Sequence, residues 1–410
     1  MVKSRKKASK RAVRPSNWYT RFLPMKSFLS RLPVRTLLMA VLGVLVGLGI
    51  LGGIFAWQTY SKVNVRAPSV SPVPGEVKPT PDPLAAYNVL LLGYGGGTHD
   101  GGKLTDTIMI ARVDPRAEKI SLISLPRDLW VSFPVEGEEE SHWKINAAYQ
   151  IGSSDDNYPR KLPQYSGEAG GGELAKFAVA KVLGEPIQHF VAVSFAGFTK
   201  SIDVLDGVNV RVERTFDDYW YPIEGEEDNS CGRSPEDIAA LTATLSGTLL
   251  EESFPCRYEH LHFDAGVIPM DGETALKFVR SRHSAQDGSD FGRAARQRNL
   301  LVAVKDKVIN ISFLPRLIPF VTTLTNDLET DIGISQMQEW ASQQNKLAGY
   351  EIETIALTDK NILMNSRSAN GQYILVPKDG IDNWESVHAW LQAELRGENI
   401  ETATGSAQLR

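Results

Sequence analysis

The chain has 410 residues, 42% of them apolar, enough for one large domain or two small ones with a sizeable core. Its net charge of −5 hides an asymmetry: residues 1–35 carry eleven Lys and Arg and no acid, which leaves 33 basic residues against 49 acidic ones in the remainder. A basic tail on an acidic body argues against general nucleic-acid binding by the body, and two cysteines are too few for a cysteine-rich structural zinc site.

The basic tail, residues 1–36, leads into Leu37–Trp57, which carries no charge. A helix of this length spans roughly 30 Å of hydrocarbon, and Trp57 and Tyr60 lie where an interfacial aromatic belt would be. Most of the flanking positive charge precedes the run; only Lys62 and Arg66 follow closely. The expectation is one transmembrane helix at 37–57, with the tail in the cytoplasm and residues 61–410 outside. A cleaved signal peptide is the rival, but the run is long for one and no clear small-x-small site follows. With no polar face the run does not suit a helix at the edge of a soluble core, and a buried core helix is the less favoured reading. Residues 58–85 are proline-rich, with six prolines between Ala67 and Leu84, and read as a semi-rigid stalk or a plain disordered linker.

Residues 86–395 read as one alternating α/β domain. Asn88–Gly93 is a short apolar run ending in glycine, as a buried strand would be. Ile108–Val113 and Lys119–Ser124 are strands joined by a turn at Asp114-Pro115. Gly172–Leu183 has helical spacing at Leu174, Phe177, Ala178 and Val182, with Gly184 as its cap. Phe190–Ser194 is a strand. A helix follows through Leu205, then a turn at Asp206-Gly207 and a strand at Val208–Val212. Asp271 begins a further helix, and Phe291–Ile309 is a longer amphipathic one. Such alternation implies a sheet with helices on both faces. Residues 214–262 look like an acidic, aromatic insertion without a clear period. Cys231 and Cys256 lie within it and form either one disulfide, the favoured reading outside the membrane, or two free thiols. Residues 396–410 read as a loose polar tail.

Four constellations carry chemistry. In Gly93–Thr107 a glycine-rich turn directly after a strand lets backbone N–H groups approach an anion, although it has neither a Walker nor a GxGxxG pattern; the alternative is a surface hairpin. Asp106, just before a strand, suits Mg²⁺ through oxygen or a simple Asx turn. In Ser124–Asp128, Arg127-Asp128 falls at a strand end, where open α/β sheets bind ligands, or is a surface ion pair of little consequence. In Lys144–Tyr149, Asn146 is placed to cap a short helix. The fourth, Val279–Arg298, sets Arg280, Arg282, Arg293, Arg296, Arg298 and Gln297 around Asp287 and Asp290. So many fork-shaped cations in an acidic body suggest a phosphate or pyrophosphate site. Arg280 and Arg282 share a face if extended. Asp290 is a candidate N-cap, with Arg293, Arg296 and Gln297 on one face of the first turns. Cations there oppose the helix dipole, which an anion would reconcile; a solvated basic face is the alternative.

In order, LTDT at Leu104–Thr107, SLPRD at Ser124–Asp128, KINAAY at Lys144–Tyr149, LDGVNV at Leu205–Val210, MDGETALKFVRSR at Met270–Arg282 and DFGRAARQR at Asp290–Arg298 resemble the LytR–CpsA–Psr proteins of bacterial envelopes. The resemblance covers residues 86–310 well, and the segment to about 395 less specifically. It implies a three-layer α/β/α domain with a central mixed sheet, preceded by one transmembrane helix, and a deep hydrophobic pocket. It implies a phosphotransferase that moves a glycopolymer phosphate from a polyprenyl-pyrophosphate carrier to a muramic acid hydroxyl of peptidoglycan, at the plasma membrane, with Mg²⁺ as cofactor and without nucleic acid.

By the same resemblance, Asp106 is a metal or catalytic carboxylate. Arg127, Arg280, Arg282, Arg293 and Gln297 bind pyrophosphate, with Arg127, Arg282 and Asp290 also catalytic, Asp290 by orienting the arginines. The helices around Phe177 and Leu300 line the lipid pocket or simply pack the core. The chain departs from the family pattern twice. Gly95 stands where the family has an acid, and Leu104 where it has an arginine. His99 or Asp100 is the candidate replacement ligand, and Lys103 the replacement cation. The competing expectations are a polyprenyl-pyrophosphate hydrolase and a non-catalytic polyprenyl-phosphate binder.

Overall fold

The computed structural model describes residues 82, 84–97, 101–284, 286, 288, 290–310, 327–342 and 349–398. The basic tail, the apolar run at 37–57, most of the stalk, His99, Asp100 and Asp287 lie outside the described residues. Among the described residues no helix is long and apolar enough to cross a membrane.

The strands, in chain order, are β1 Tyr87–Tyr94, β2 Thr105–Asp114, β3 Lys119–Leu125, β4 Trp130–Glu136, β5 Glu139–Lys144, β6 His189–Ser194, β7 Val208–Val212, β8 Phe216–Pro222, β9 Tyr258–Phe263, β10 Gly266–Met270, β11 Leu328–Thr330, β12 Glu351–Ala356, β13 Leu363–Arg367 and β14 Tyr373–Pro377. Six form a central sheet in the order β11-β6-β1-β2-β3-β12. It is mixed: β1 pairs β6 and β3 pairs β12 in parallel, while β1–β2, β2–β3 and β6–β11 are antiparallel. The carboxyl ends of β1, β3, β6 and β12 therefore share one edge of the sheet with the amino end of β2.

Among the described residues the longer helices are α1 Ala147–Gly152, α2 Gly170–Leu183, α3 Phe195–Val204, α4 Pro235–Thr244, α5 Gly272–Arg280, α6 Asp290–Asn310, α7 Ile334–Ser342 and α8 Glu385–Leu395, with a short helical turn at Thr248–Glu251. One face of the sheet, with Leu90, Leu92, Ile108, Ile110 and Ile123, packs against Leu174, Ala178 and Val182 of α2 and Val387 and Leu391 of α8 in the larger core. Alternation along each strand sends these residues to one side. Close approach of α2 to the sheet depends on Gly172, where an added Cβ would lie 2.2 Å from the Phe190 ring. Gly184 ends α2 at φ 76°, the left-handed conformation that glycine adopts most readily.

A second core joins Val208, Val210 and Val212, Phe216, Leu261 and Phe263, Ala275 and Phe278, and Leu300 and Ala303. Segment 214–262 is therefore not peripheral at its ends. Strands β8 and β9 pair and bury Phe216, Tyr221, Leu261 and Phe263, and Cys231 is bonded to Cys256 in the excursion between them. Residues 351–395, read only loosely from the sequence, supply β12 of the central sheet, the β13–β14 hairpin and α8.

Several expectations are corrected. Asn146 stands at the N-cap position of α1, but its side chain makes no capping hydrogen bond and its backbone is αR. Arg280 is the last residue of α5 rather than part of an extended stretch. Helix α6 begins at Asp290 itself, whose side chain is not described. For Phe177 and Leu300 the packing alternative offered above holds: Phe177 lies edge-on to Tyr165, 5.8 Å between ring centres, and Leu300 is buried in the second core.

Candidate functional site

The site is assembled from strand ends and one turn. Asp106 and Thr107 open β2 at the shared sheet edge. Arg127 follows Pro126 directly after β3 on the same edge, and its Nη1 donates to Asp106 Oδ1 at 2.5 Å. The Arg127 Nε lies 3.6 Å from Asp128, which Lys144 grips at 2.5 Å. The backbone of Asn146 joins three motifs: its N–H donates to Arg127 O at 3.4 Å, and its carbonyl accepts the Thr105 N–H at 3.2 Å. LTDT, SLPRD and KINAAY thus form one hydrogen-bonded corner. Burial pulls the Arg127 guanidinium toward losing its proton, but Asp106 and Asp128 outweigh it and hold it charged more firmly than usual.

The second wall comes from α5 and the turn after it. Asp271 caps α5 by accepting the Thr274 N–H at 2.9 Å. The helix stops at Ser281 because a buried carboxylate captures residues 281–283. Asp218, fully buried on β8, accepts the Ser281 hydroxyl at 2.6 Å, the Arg282 N–H at 3.0 Å and the His283 N–H at 3.1 Å. Its other oxygen accepts the Trp220 N–H at 3.0 Å. Burial pushes this carboxyl up, but the hydrogen bonds from Ser281, His283, Trp220 and Arg282 together win and hold it below the usual carboxylate range. The turn that carries Arg280 and Arg282 is therefore templated by Asp218. The Arg280 guanidinium lies 4.2 Å from the Phe195 ring centre and donates to the Tyr221 hydroxyl at 3.4 Å.

The third contribution is α6, which brings Arg293 and Gln297. These walls enclose a cleft of about 240 Å³ lined by Asp106, Arg127, Arg280, Arg282, Arg293 and Gln297, together with Thr107, Phe195, Asp218, Tyr221 and His283. Six residues singled out from sequence thus face one space, and four guanidinium groups meet there with two carboxylates. Such a surplus of forked donors at the carboxyl end of parallel strands suits a doubly charged, multi-oxygen anion.

Two arginines of the same segment go elsewhere. Arg296 is 2% exposed; its Nη2 donates to Ser281 O at 2.6 Å and its guanidinium lies 5.0 Å from the Phe216 ring centre. Arg298 binds Glu213 at 2.9 Å. Lys103, expected as a replacement cation, lies 3.5 Å from Glu329 instead and does not line the cleft.

Asp106 fits the way Mg²⁺ is commonly held, by one or two carboxylates completed with substrate phosphate oxygens and water. Asp218 does not fit, because both of its oxygens are occupied by N–H and O–H donors. Among the described residues no group of three or more His, Cys, Asp and Glu is arranged to hold a metal by itself.

Asp218, Tyr221, Phe195, Thr107 and His283 were not singled out from the sequence. Asp218 and Tyr221 lie in the segment read as an insertion. The signal available was period two: Phe216 and Asp218 face inward on one strand while Asp217 and Tyr219 face out.

Fold and cleft together define a mixed-sheet α/β protein with an arginine-walled cleft at the sheet's edge. The LytR_cpsA_psr family model matches residues 58–386, and the chain belongs to that family, the LytR–CpsA–Psr proteins. It is 26% identical over 259 residues to the polyisoprenyl-teichoic acid–peptidoglycan teichoic acid transferase TagU of Enterococcus faecalis, a match covering 62% of this chain and 64% of that protein, just under two thirds of its length. The TagU transferase of Bacillus mycoides matches at 24% over 353 residues, 84% of this chain and 89% of that protein. In fold, the crystal structure of protein gbs0355 from Streptococcus agalactiae aligns with a TM-score of 0.50 at 18% identity, covering 77% of this chain and 89% of that one.

Proposed function

We propose that the chain is a membrane-anchored phosphotransferase that moves a glycopolymer phosphate from a polyprenyl-pyrophosphate carrier to a peptidoglycan hydroxyl during cell-wall assembly. The observation that carries the reading is convergence: Arg127, Arg280, Arg282, Arg293 and Gln297, from three separate parts of the chain, line one cleft beside Asp106. Phosphoryl transfer needs in-line placement and neutralisation of charge spread over oxygens, and fixed guanidinium groups supply both. The names of the TagU relatives, which are teichoic acid transferases, support the same reaction class and acceptor.

Asp106 would hold Mg²⁺, with Asp100 as the candidate second ligand, and the ion would neutralise developing charge on the phosphoryl oxygens. Leu37–Trp57 is the membrane anchor of this reading, and 58–85 the stalk. Anchoring raises the effective concentration of a lipid-linked donor at the site. The full three-layer arrangement, the lipid-accepting apolar pocket, the cytoplasmic N-terminus and the plasma-membrane location belong to the same proposal.

The test is turnover of a polyprenyl-pyrophosphate glycan by the full-length protein with Mg²⁺ and peptidoglycan fragments. Glycan joined to the fragment, abolished in Arg282→Ala, supports transfer. Release of glycan phosphate without any acceptor would support a hydrolase. One observation favours a third reading: Gly95 stands where the family pattern has an acid. Tight donor binding with no product in Mg²⁺ would mean a non-catalytic polyprenyl-phosphate binder.

A further inference from the structure

Transfer to a hydroxyl requires a group that accepts the hydroxyl's proton near neutral pH. The four cleft arginines offer only N–H donors and no atom that accepts a proton. Asp106 gives Oδ1 to Arg127 at 2.5 Å and is the carboxylate this reading assigns to the ion. Asp218 is sealed from solvent and spends both oxygens on the 281–283 turn and Trp220. Tyr221 is 5% exposed, and burial pushes its phenol up, away from base chemistry. Among the described titratable residues that line the cleft this leaves His283.

Its placement suits the task. The His283 N–H is pinned to Asp218, its ring Nδ1 lies 4.0 Å from Asp218 Oδ1, and its side chain is 42% exposed. One edge of the imidazole thus faces a buried carboxylate while the ring borders the cleft, where an acceptor can reach it. Asp218 stands 4.0 Å from Nδ1, a charge contact rather than a hydrogen bond, and Nε2 is the ring nitrogen left for an acceptor hydroxyl. The charged and titratable groups around it are Asp218 and Tyr221 from β8, Arg280 and Arg282 from α5 and its turn, Arg293 from α6, and Asp106 and Arg127 from the sheet edge.

The geometry points to His283 as the general base of the reaction, an assignment that rests on the transferase reading above. The acceptor hydroxyl gives its proton to His283 Nε2. Its oxygen forms a bond to the glycan-bearing phosphorus. The bond from that phosphorus to the bridging oxygen breaks, and polyprenyl monophosphate leaves with the electron pair. The proton then passes from His283 to water.

The experiment measures turnover by the full-length protein from pH 5 to 9, with a polyprenyl-pyrophosphate glycan, Mg²⁺ and peptidoglycan fragments. It compares wild type, His283→Gln, and His283→Ala with and without added imidazole. Inorganic pyrophosphate binding serves as the control for an intact cleft. Wild-type turnover should rise with pH through a single ionisation. His283→Gln should lose about 100-fold in turnover and lose that rise, with pyrophosphate binding retained. Imidazole should restore part of the His283→Ala rate. A His283→Gln protein that keeps the rise would overturn the assignment and leave transfer intact. Loss of pyrophosphate binding in both variants would make His283 a support of the arginine wall, and would also overturn it. A wild type that binds donor but forms no product at any pH would instead bring down the transferase reading, and the assignment with it.

Discussion

The backbone N–H of Arg282 donates to the buried carboxylate of Asp218 at 3.0 Å, so a residue of β8 decides where the second arginine of the Arg280-Ser281-Arg282 turn begins. Asp218 lies outside every sequence motif, yet it fixes the motif that carries most weight. An acid does this better than a neutral residue because one carboxylate can accept several converging donors.

Asp218→Ala leaves three backbone N–H groups and the Ser281 hydroxyl without their acceptor. Each buried unsatisfied donor costs about 1–3 kcal/mol, so a loss of about 3 kcal/mol or more is expected in denaturant unfolding. The folded-state pKa is depressed. The stabilisation is therefore fully present above the unfolded value, about 3.9, and is lost as pH falls through the lower folded value. Wild type and Asp218→Asn should converge in stability on acidification. A gap that widens below pH 4 would contradict this.

Arg293 and Arg296 lie three apart on one helix and do different work. Arg296 is buried against Ser281 O and the Phe216 ring, and Arg293 lines the cleft. Arg296→Met should lower stability by about 2 kcal/mol, from a lost charged hydrogen bond and aromatic contact. Arg293→Met should weaken inorganic pyrophosphate binding about tenfold or more, at a smaller cost in stability. Calorimetry on both variants separates the two roles; equal effects on binding would refute the division.

The sheet was legible because its strands are short apolar runs closed by turn residues, as at Asn88–Gly93 and Lys119–Ser124. The cleft was legible in part because Arg127, Arg280, Arg282, Arg293 and Gln297 fall in motifs whose order is specific. What was not legible has physical causes. Spacing on α6 could not say which arginine turns inward, since Arg296 is drawn to Ser281 O and Phe216, contacts made across the chain. Strand β8 alternates an aromatic residue with a buried acid, a pattern that reads as a polar loop until its donors are known. Strand β12 joins the sheet beside β3 from more than two hundred residues away, and no local pattern announces such a neighbour.

The Cys231–Cys256 bond spans a sequence separation of 25 within the excursion between β8 and β9. Closing a loop of that size restricts the unfolded chain by about 3 kcal/mol in the chain-entropy account. The double variant Cys231→Ser with Cys256→Ser should lose up to about that much, and reductant should destabilise wild type but not the variant. Because β8 also carries Asp218, pyrophosphate affinity should fall alongside stability. Unchanged affinity at matched folded fraction would show that the hairpin holds Asp218 without the cross-link.

Gly95 offers a gain-of-function test. An added Cβ there meets only the Phe195 Cε2 at 3.9 Å, an ordinary contact, and its backbone is not in the left-handed region. A side chain is therefore accommodated, next to a residue that lines the cleft. An aspartate at this position would restore the acid of the family pattern, one residue beyond Tyr94, which pairs with Thr105 next to Asp106 in sequence. Mg²⁺ is commonly bound through one or two carboxylates plus phosphate oxygens. Gly95→Asp should therefore lower the Mg²⁺ concentration needed for half-maximal turnover, or for pyrophosphate binding if turnover is absent, by about tenfold, the equivalent of about 1.4 kcal/mol. The competing effect is repulsion of the anionic substrate by a new negative charge, which should weaken pyrophosphate binding in metal-free buffer. The two effects separate in a titration with and without Mg²⁺. Weaker binding without metal and tighter binding with it would establish that the cleft takes its anion together with the ion. Weaker binding in both buffers would mean that the arginines alone hold the anion, and that position 95 has no part in metal binding.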